Sequence, residues 1–87
     1  MKSRINKLDY AMCISLFNSI CYYKNNLKHR DGDLPAIIWE NIHRSWYKNG
    51  LEHRDENKPS SIYSDGYKYW YQNGNFIRCN KNEIENK

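Results

Sequence analysis

The chain has 87 residues, 14 Lys plus Arg against 10 Asp plus Glu, and a formal net charge of +4. That length allows one small domain, which buries only a modest core and so has a thin stability margin. The hydrophobic fraction is only 39%, yet the chain holds eight Tyr and three Trp, so amphipathic aromatics carry the burial and the chain reads as folded.

The mild basic excess suits an acidic partner, whether nucleic acid or an acidic protein surface. Cys13, Cys21 and Cys79 form no Cys-x-x-Cys pair, and the simplest expectation is reduced thiols in a cytosol. Lys2, Arg4 and Lys7 precede the semi-apolar run Tyr10–Cys21, but Ser15, Asn18 and Ser19 interrupt it and no small-residue cleavage site follows. Secretion is therefore not expected, and no run reaches the length of a membrane span. Rich Asn, Lys, Ile and Tyr usage matches an AT-rich coding source.

In chain order, residues 4–20 come first. Ile5, Leu8, Met12, Leu16 and Ile20 fall on one helical face with Cys13 beside them, which predicts a helix covering a sheet. Asp9 lies on that same face. Moving the downstream periodicity back by one unit instead places Cys13-Ile14 in a strand.

From Tyr22 onward the chain repeats every 24 residues without a gap: Tyr22, Trp46 and Trp70 align, as do Tyr23, Tyr47 and Tyr71. Asn25, Asn49 and Asn73 coincide, followed by Asn26, Gly50 and Gly74, a position suited to positive φ. His29 meets His53, Asp31 meets Asp55, and Pro35 meets Pro59. Arg30, Arg54 and Arg78 share one slot. Ile38 with Ile62, and Trp39 with Tyr63, extend the match. The units are 22–45, 46–69 and an incomplete 70–81, with 82–87 a tail, all within a single domain spanning 1–87.

Asn-Gly between β-forming runs predicts type I′ hairpins. A second turn at Asp65-Gly66 separates a short strand near Ser61–Tyr63 from a longer one near Tyr67–Gln72, and residues 55–59 form a loop ending at a proline. The expected fold is mainly β (α+β): an antiparallel meander of about eight short strands between residues 20 and 79, with the N-terminal helix packed on it.

The string Trp/Tyr-Tyr-x-Asn-Gly-x-x-His-Arg-x-x-x-x-Pro resembles the MORN-like repeats of the YwqK antitoxin type, of the kind seen in phages and giant viruses. The resemblance covers residues 22 to 78. It implies a β-hairpin array that binds a partner, without a shared catalytic residue set. Both loops depart from the Gly-Pro-Ala that follows the Asp in that family, and the third unit has Ile77 and Cys79 where the others have His and Asp.

His-Arg-Asp opens the catalytic loop of protein kinases, but 87 residues leave no room for the remaining kinase parts. A small ribonuclease using His29 and His53, with Arg30 and Arg54 as cations, is an acid–base alternative. A triplet recurring at a fixed period favours loop closure instead, because one active site needs different, convergent residues. Metal binding by His29, His53 and Cys79 has no supporting ligand spacing, and neither a metal nor a cofactor is expected.

Alternation puts Arg44, Trp46 and Lys48 on one strand face and Lys68, Trp70 and Gln72 on its equivalent, a basic aromatic surface suited to RNA. The other face holds Tyr67, Tyr69 and Tyr71 with Ser45 and Tyr47, which suits protein contacts. Arg30, Arg54 and Arg78, then Lys48, Lys68, Tyr47 and Tyr71, are the expected partner-binding or RNA-binding residues.

These features predict a small, non-catalytic phage-type protein that neutralises a host defence factor, such as a toxin ribonuclease, in the host cytosol. RNA is a possible co-ligand, and no membrane partner is expected. The other readings are a general single-stranded nucleic-acid module, the ribonuclease, and a repeat protein assembling through strand edges.

Overall fold

A computed structural model describes residues 10–15 and 18–81. Ten strands are described: β1 Tyr10–Ile14, β2 Ser19–Lys24, β3 Leu27–Lys28, β4 Ile37–Trp39, β5 His43–Ser45, β6 Tyr47–Lys48, β7 Leu51–Glu52, β8 Ser61–Tyr63, β9 Tyr67–Gln72 and β10 Asn75–Lys81. One antiparallel sheet runs in the order β1-β2-β4-β5-β8-β9-β10, with β3 also paired to β2, and β6 and β7 form a separate ribbon. The molecule is a long, thin meander, 60 × 28 × 17 Å.

Turn chemistry positions the strands. Asn25 and Asn26 have φ of 53° and 67°, Asn49 and Gly50 51° and 87°, and Asn73 and Gly74 51° and 83°. Two successive positive φ values are what a type I′ hairpin requires. A Cβ on Gly50 would meet Leu27 Cδ2 at 3.3 Å, and one on Gly74 would meet Leu51 Cδ2 at 3.2 Å. Ser64, Asp65 and Gly66 turn β8 into β9, with the Gly66 N–H donating to the Tyr63 carbonyl at 3.0 Å.

The helix expected over residues 4–20 is overturned where the structure describes it. Tyr10–Ile14 is a strand, and β2 begins at Ser19. The remaining part of that expectation, residues 4–9, 16 and 17, lies outside the described residues. The physical reason is the spacing. Met12, Leu16 and Ile20 step by four, which satisfies a helical face and an alternating strand face alike. Ile14 pairs with Ile20, and Ile20 with Ile38, so the apolar positions form a cross-strand row.

Each cross-strand row keeps one face of the sheet. One face carries Cys13, Cys21, Ile37, Ser45, Ser61, Tyr69 and Cys79 in a single row. The other carries Ile14, Ile20, Ile38, Arg44, Ile62 and Lys68. Little of either is buried: among the described residues the apolar core is Ala36, Trp46 and Trp70, joined by His29, Ser45, Ser60 and Ser61. A chain with this core depends on polar closure, and every buried side-chain nitrogen and oxygen among the described residues has a hydrogen-bond partner. No helix among the described residues is long and apolar enough to cross a membrane, which says nothing of a β-barrel.

Candidate functional site

The His-Arg-Asp triplets follow the hairpins, where β3 and β7 end and the chain leaves the sheet. The His29 N–H donates to the Tyr22 carbonyl at 3.1 Å, and the His53 N–H donates to the Trp46 carbonyl at 3.0 Å. Each imidazole then turns toward the next hairpin. Asn49 N–H donates to His29 Nδ1 at 2.9 Å, and Asn73 N–H donates to His53 Nδ1 at 3.1 Å. That use of Nδ1 as acceptor places the proton on Nε2, which donates to Asp31 Oδ1 and Asp55 Oδ1, both at 2.7 Å. Both ring nitrogens of both histidines are therefore engaged.

The arginines fold back over their own aromatic partner. Arg30 lies 3.8 Å from the Tyr22 ring centroid, Arg54 3.7 Å from Trp46, and Arg78 3.8 Å from Trp70. Arg30 Nη1 donates to the Pro35 carbonyl at 3.3 Å and Arg54 Nη1 to the Pro59 carbonyl at 3.1 Å, so each closes its loop. The indoles are fixed from the other side: Trp46 Nε1 donates to the Asp33 carbonyl at 3.1 Å, and Trp70 Nε1 to the Asn57 carbonyl at 3.0 Å.

Asp33 is where the two loops differ. Its carboxylate accepts from Arg54 Nε at 3.0 Å, from Arg54 Nη2 at 3.3 Å and from Lys58 Nζ at 3.1 Å. The Arg54 hydrogen bond, supported by Lys58, holds the Asp33 carboxyl below its usual range. Asn57 occupies the equivalent slot beside Arg78 and carries no charge. Among the described residues no carboxylate or carbonyl accepts from Arg78, which is exposed and keeps its donors open.

No protein-family model, curated protein or solved structure matches the chain.

A cleft of about 170 Å³ lies between the two loops, and His29, Arg30, Asp31, His53, Arg54 and Lys48 are among its lining. Its charges are mixed and largely matched. The His29 hydrogen bond, with that of Tyr10, lowers the Asp31 carboxyl, and the His53 hydrogen bond lowers that of Asp55. A larger hollow of about 340 Å³ opens at the hairpin tips, where Ile38, Ile42, Arg44 and Ile62 meet Trp39 and Tyr63. Among the described residues no three His, Cys, Asp or Glu side chains converge as a metal site.

The opposite face carries the tyrosines. His43 stacks on Tyr63 at 4.4 Å and 8°, Tyr63 meets Tyr69 edge-on at 5.7 Å, and Tyr71 meets Phe76 edge-on at 5.5 Å. Beneath them runs a polar chain: Ser61 donates to Glu52 Oε2 at 2.5 Å, Ser45 and Ser61 hydroxyls lie 3.0 Å apart, and His43 Nε2 lies 2.6 Å from Ser45. A carboxylate only accepts, so the chain is polarised from His43 toward Glu52 and puts the Nε2 proton on His43. Burial holds the His43 pKa down and pushes the Tyr63 hydroxyl up. Burial chiefly, with the Glu52 charge second, also pushes up Tyr47.

The seven expected binding residues thus sit in distinct settings. Arg30 and Arg54 are half-buried and occupied by loop closure. Arg78 and Lys48 are exposed, and Lys68 is half-buried on the sheet between Ile62 and Asn80. Tyr47 and Tyr71 are half-buried on the tyrosine face, with Lys28 Nζ 5.3 Å from the Tyr47 ring centroid. Trp46 and Trp70 are only 7% exposed, so neither ring offers a face to a base. Sequence reasoning missed Asp33 and the His43–Ser45–Ser61–Glu52 chain. Ser45 and Ser61 signal the latter, because they sit at positions that alternation points inward.

Proposed function

We propose that the chain is a non-catalytic binding protein of the antitoxin-like repeat type. It is an array of three 24-residue hairpin units, the last incomplete, and it neutralises a host defence factor in the host cytosol. A toxin ribonuclease bound on the tyrosine face is the concrete form, with RNA as a co-ligand. The phage-type setting rests on the repeat resemblance and on composition.

The observation that carries this reading is the asymmetry of the two faces. On one side Arg54 and Arg78 cover Trp46 and Trp70, and loop carbonyls accept from both indoles. Tyr63 and Tyr67 remain 37% and 38% exposed on the other, beside half-buried Tyr47, Tyr69 and Tyr71. Rigid tyrosines with a polar tip supply contact area at low entropy cost, which suits a protein partner.

The test is capture of partners from host cells by the tagged chain, with and without ribonuclease treatment, alongside a Tyr63→Ala/Tyr67→Ala variant. One host protein retained after ribonuclease treatment and lost in the variant supports the reading. Recovery of RNA alone, lost at high salt, replaces it with the nucleic-acid module, a reading favoured by the exposure of Arg78 and Lys48.

The ribonuclease alternative needs an imidazole lone pair free to take a proton. Engagement of both nitrogens of His29 and His53 weighs against it. Any cleavage activity that disappears in His53→Ala while the fold persists revives it.

A further inference from the structure

Cys13 of β1 lies directly opposite Cys21 of β2 in the antiparallel register. Both are free thiols, Cys13 exposed and Cys21 half-buried. Directly opposed residues point to the same face, so nothing in the sheet separates the two side chains. Two residues along, the Ser15 N–H donates to the Ser19 carbonyl at 2.9 Å. Hydrogen-bonded pairs recur every second residue, so Cys13 and Cys21 also occupy a hydrogen-bonded pair, where Cα atoms lie about 5.5 Å apart. A disulfide spans that distance.

The Cβ atoms of such a pair are set wider than a relaxed disulfide prefers, so a bond there draws the strands together and stays easy to reduce. Tyr23 lies two residues along β2 from Cys21 and so on the same face. Its hydroxyl is pushed up in pKa chiefly by the charge of the Cys21 thiolate, with burial second and Cys13 third.

We propose that Cys13 and Cys21 form a reversible dithiol–disulfide site that fastens β1 to the sheet under oxidising conditions. The oxidant is a small-molecule disulfide of the glutathione class. The Cys13 thiolate, the more accessible, attacks one sulfur of the oxidant, and the S–S bond breaks to release one thiolate. The Cys21 thiolate then attacks the Cys13 sulfur of the mixed disulfide and releases the second. The two protein thiols are oxidised, the oxidant is reduced to two thiols, and the two protein protons pass to the released thiolates.

β1 is the strand that gains from such a bond. Among the described residues it is an edge strand paired only to β2, and all five of its residues are exposed. Cys79 is the internal control. It lies on β10 opposite Tyr69, at the far end of the same row and about 29 Å away at the usual strand spacing, so neither other thiol can reach it.

The experiment equilibrates the whole chain in mixtures of reduced and oxidised glutathione, quenches with acid, alkylates, and reads intact mass and digested peptides. The expected product has lost two hydrogens, takes one alkyl group at Cys79, and yields a Cys13–Cys21 linked peptide. Reduced glutathione reverses it without denaturant. Cys13→Ser and Cys21→Ser each abolish the product, Cys79→Ser leaves it intact, and oxidation of Cys79→Ser raises Tm by several degrees. A stable glutathione adduct on Cys13 with Cys21 still alkylatable overturns the proposal, as does a disulfide-linked dimer through Cys13. The wild-type peptide map decides the matter even where a serine variant folds poorly.

Discussion

Arg54→Ala separates scaffold from surface. The guanidinium stacks 3.7 Å from the Trp46 ring centroid, donates twice to Asp33 and once to the Pro59 carbonyl. Truncation removes a largely desolvated cation–π contact, about 1–2 kcal/mol. It also leaves the loop carbonyl without its charged donor, about 1–1.5 kcal/mol. The Asp33 side chain is 43% exposed and keeps Lys58, so screening holds its share below about 1 kcal/mol. The total is about 3 kcal/mol, or roughly 12–24 °C in Tm for a domain of this size.

Among the described residues Arg78→Ala loses only stacking on Trp70, and that on an exposed side chain, about 0.5–1 kcal/mol. Arg30→Ala falls between them, with a ring contact and one loop carbonyl. Urea denaturation followed by tryptophan fluorescence measures all three. Equal losses for Arg54→Ala and Arg78→Ala refute the reasoning. So does an Arg54→Ala variant that keeps its Tm and loses its partner, since that assigns Arg54 to the interface.

Asn57→Asp gives Arg78 the carboxylate that Asp33 gives Arg54, and is expected to raise stability by about 0.5 kcal/mol in urea melts, an increment that high salt removes. Glu56 holds φ at 63° in the slot Gly32 fills at 79°, so Glu56→Gly is expected to stabilise by about 0.5–1 kcal/mol on relief of left-handed strain, read by the same melts. Acid acts in two stages. His43 is held below its ordinary pKa by burial, so its contribution is complete above about pH 6.5 and declines as pH falls through the depressed folded value. Asp31, Asp33 and Asp55 are also depressed, so their contributions are intact above about pH 4 and disappear as pH falls below it. Melting temperature against pH checks both stages, and His43→Gln removes only the first.

Much of the sheet was legible because strand and turn signals are local. Asn49-Gly50 and Asn73-Gly74 carry their backbone angles in their residue types, and the boundaries Ser61–Tyr63 and Tyr67–Gln72 coincide with the observed strands. The N-terminal segment misled because a step of four fits both periods, and only pairing with β2 decides between them. The roles of the His-Arg-Asp triplet were legible only as loop closure. Asp31 bonds the His29 ring instead of its own backbone, and Arg54 finds Asp33 from 21 residues away. Neither partner follows from spacing, since both depend on how one hairpin lies over the next. Lys68 and Trp70 do share a face of β9, but a strand pattern cannot reveal that Trp70 is buried with Arg78 over its ring.

The same contacts make the chain extensible. Gly50 N–H donates to the Lys28 carbonyl at 2.8 Å, and Gly74 N–H donates to the Glu52 carbonyl at 2.9 Å. Together with the His–Asn and indole–carbonyl bonds, they join each hairpin to the loop before it and to nothing further away. Stability in such an array is a sum of unit and nearest-neighbour terms. Duplicating residues 46–69 after Tyr69 therefore repeats an interface whose acceptors, Glu52, His53 and Asn57, already exist. The longer chain is expected to melt at higher temperature in one transition, with a urea m-value larger by about a quarter, in proportion to the added surface. Deleting 46–69 brings Trp70 and Arg78 beneath the first loop, where the Asp33 carbonyl meets the indole and the Asp33 carboxylate meets the guanidinium. That shortened chain is expected to fold with a lower Tm and to regain an Arg78–Asp33 pair detectable by a double-mutant cycle. An unchanged m-value on duplication, or two separate transitions, means that the units do not stack as neighbours and that the 24-residue period is one of sequence alone.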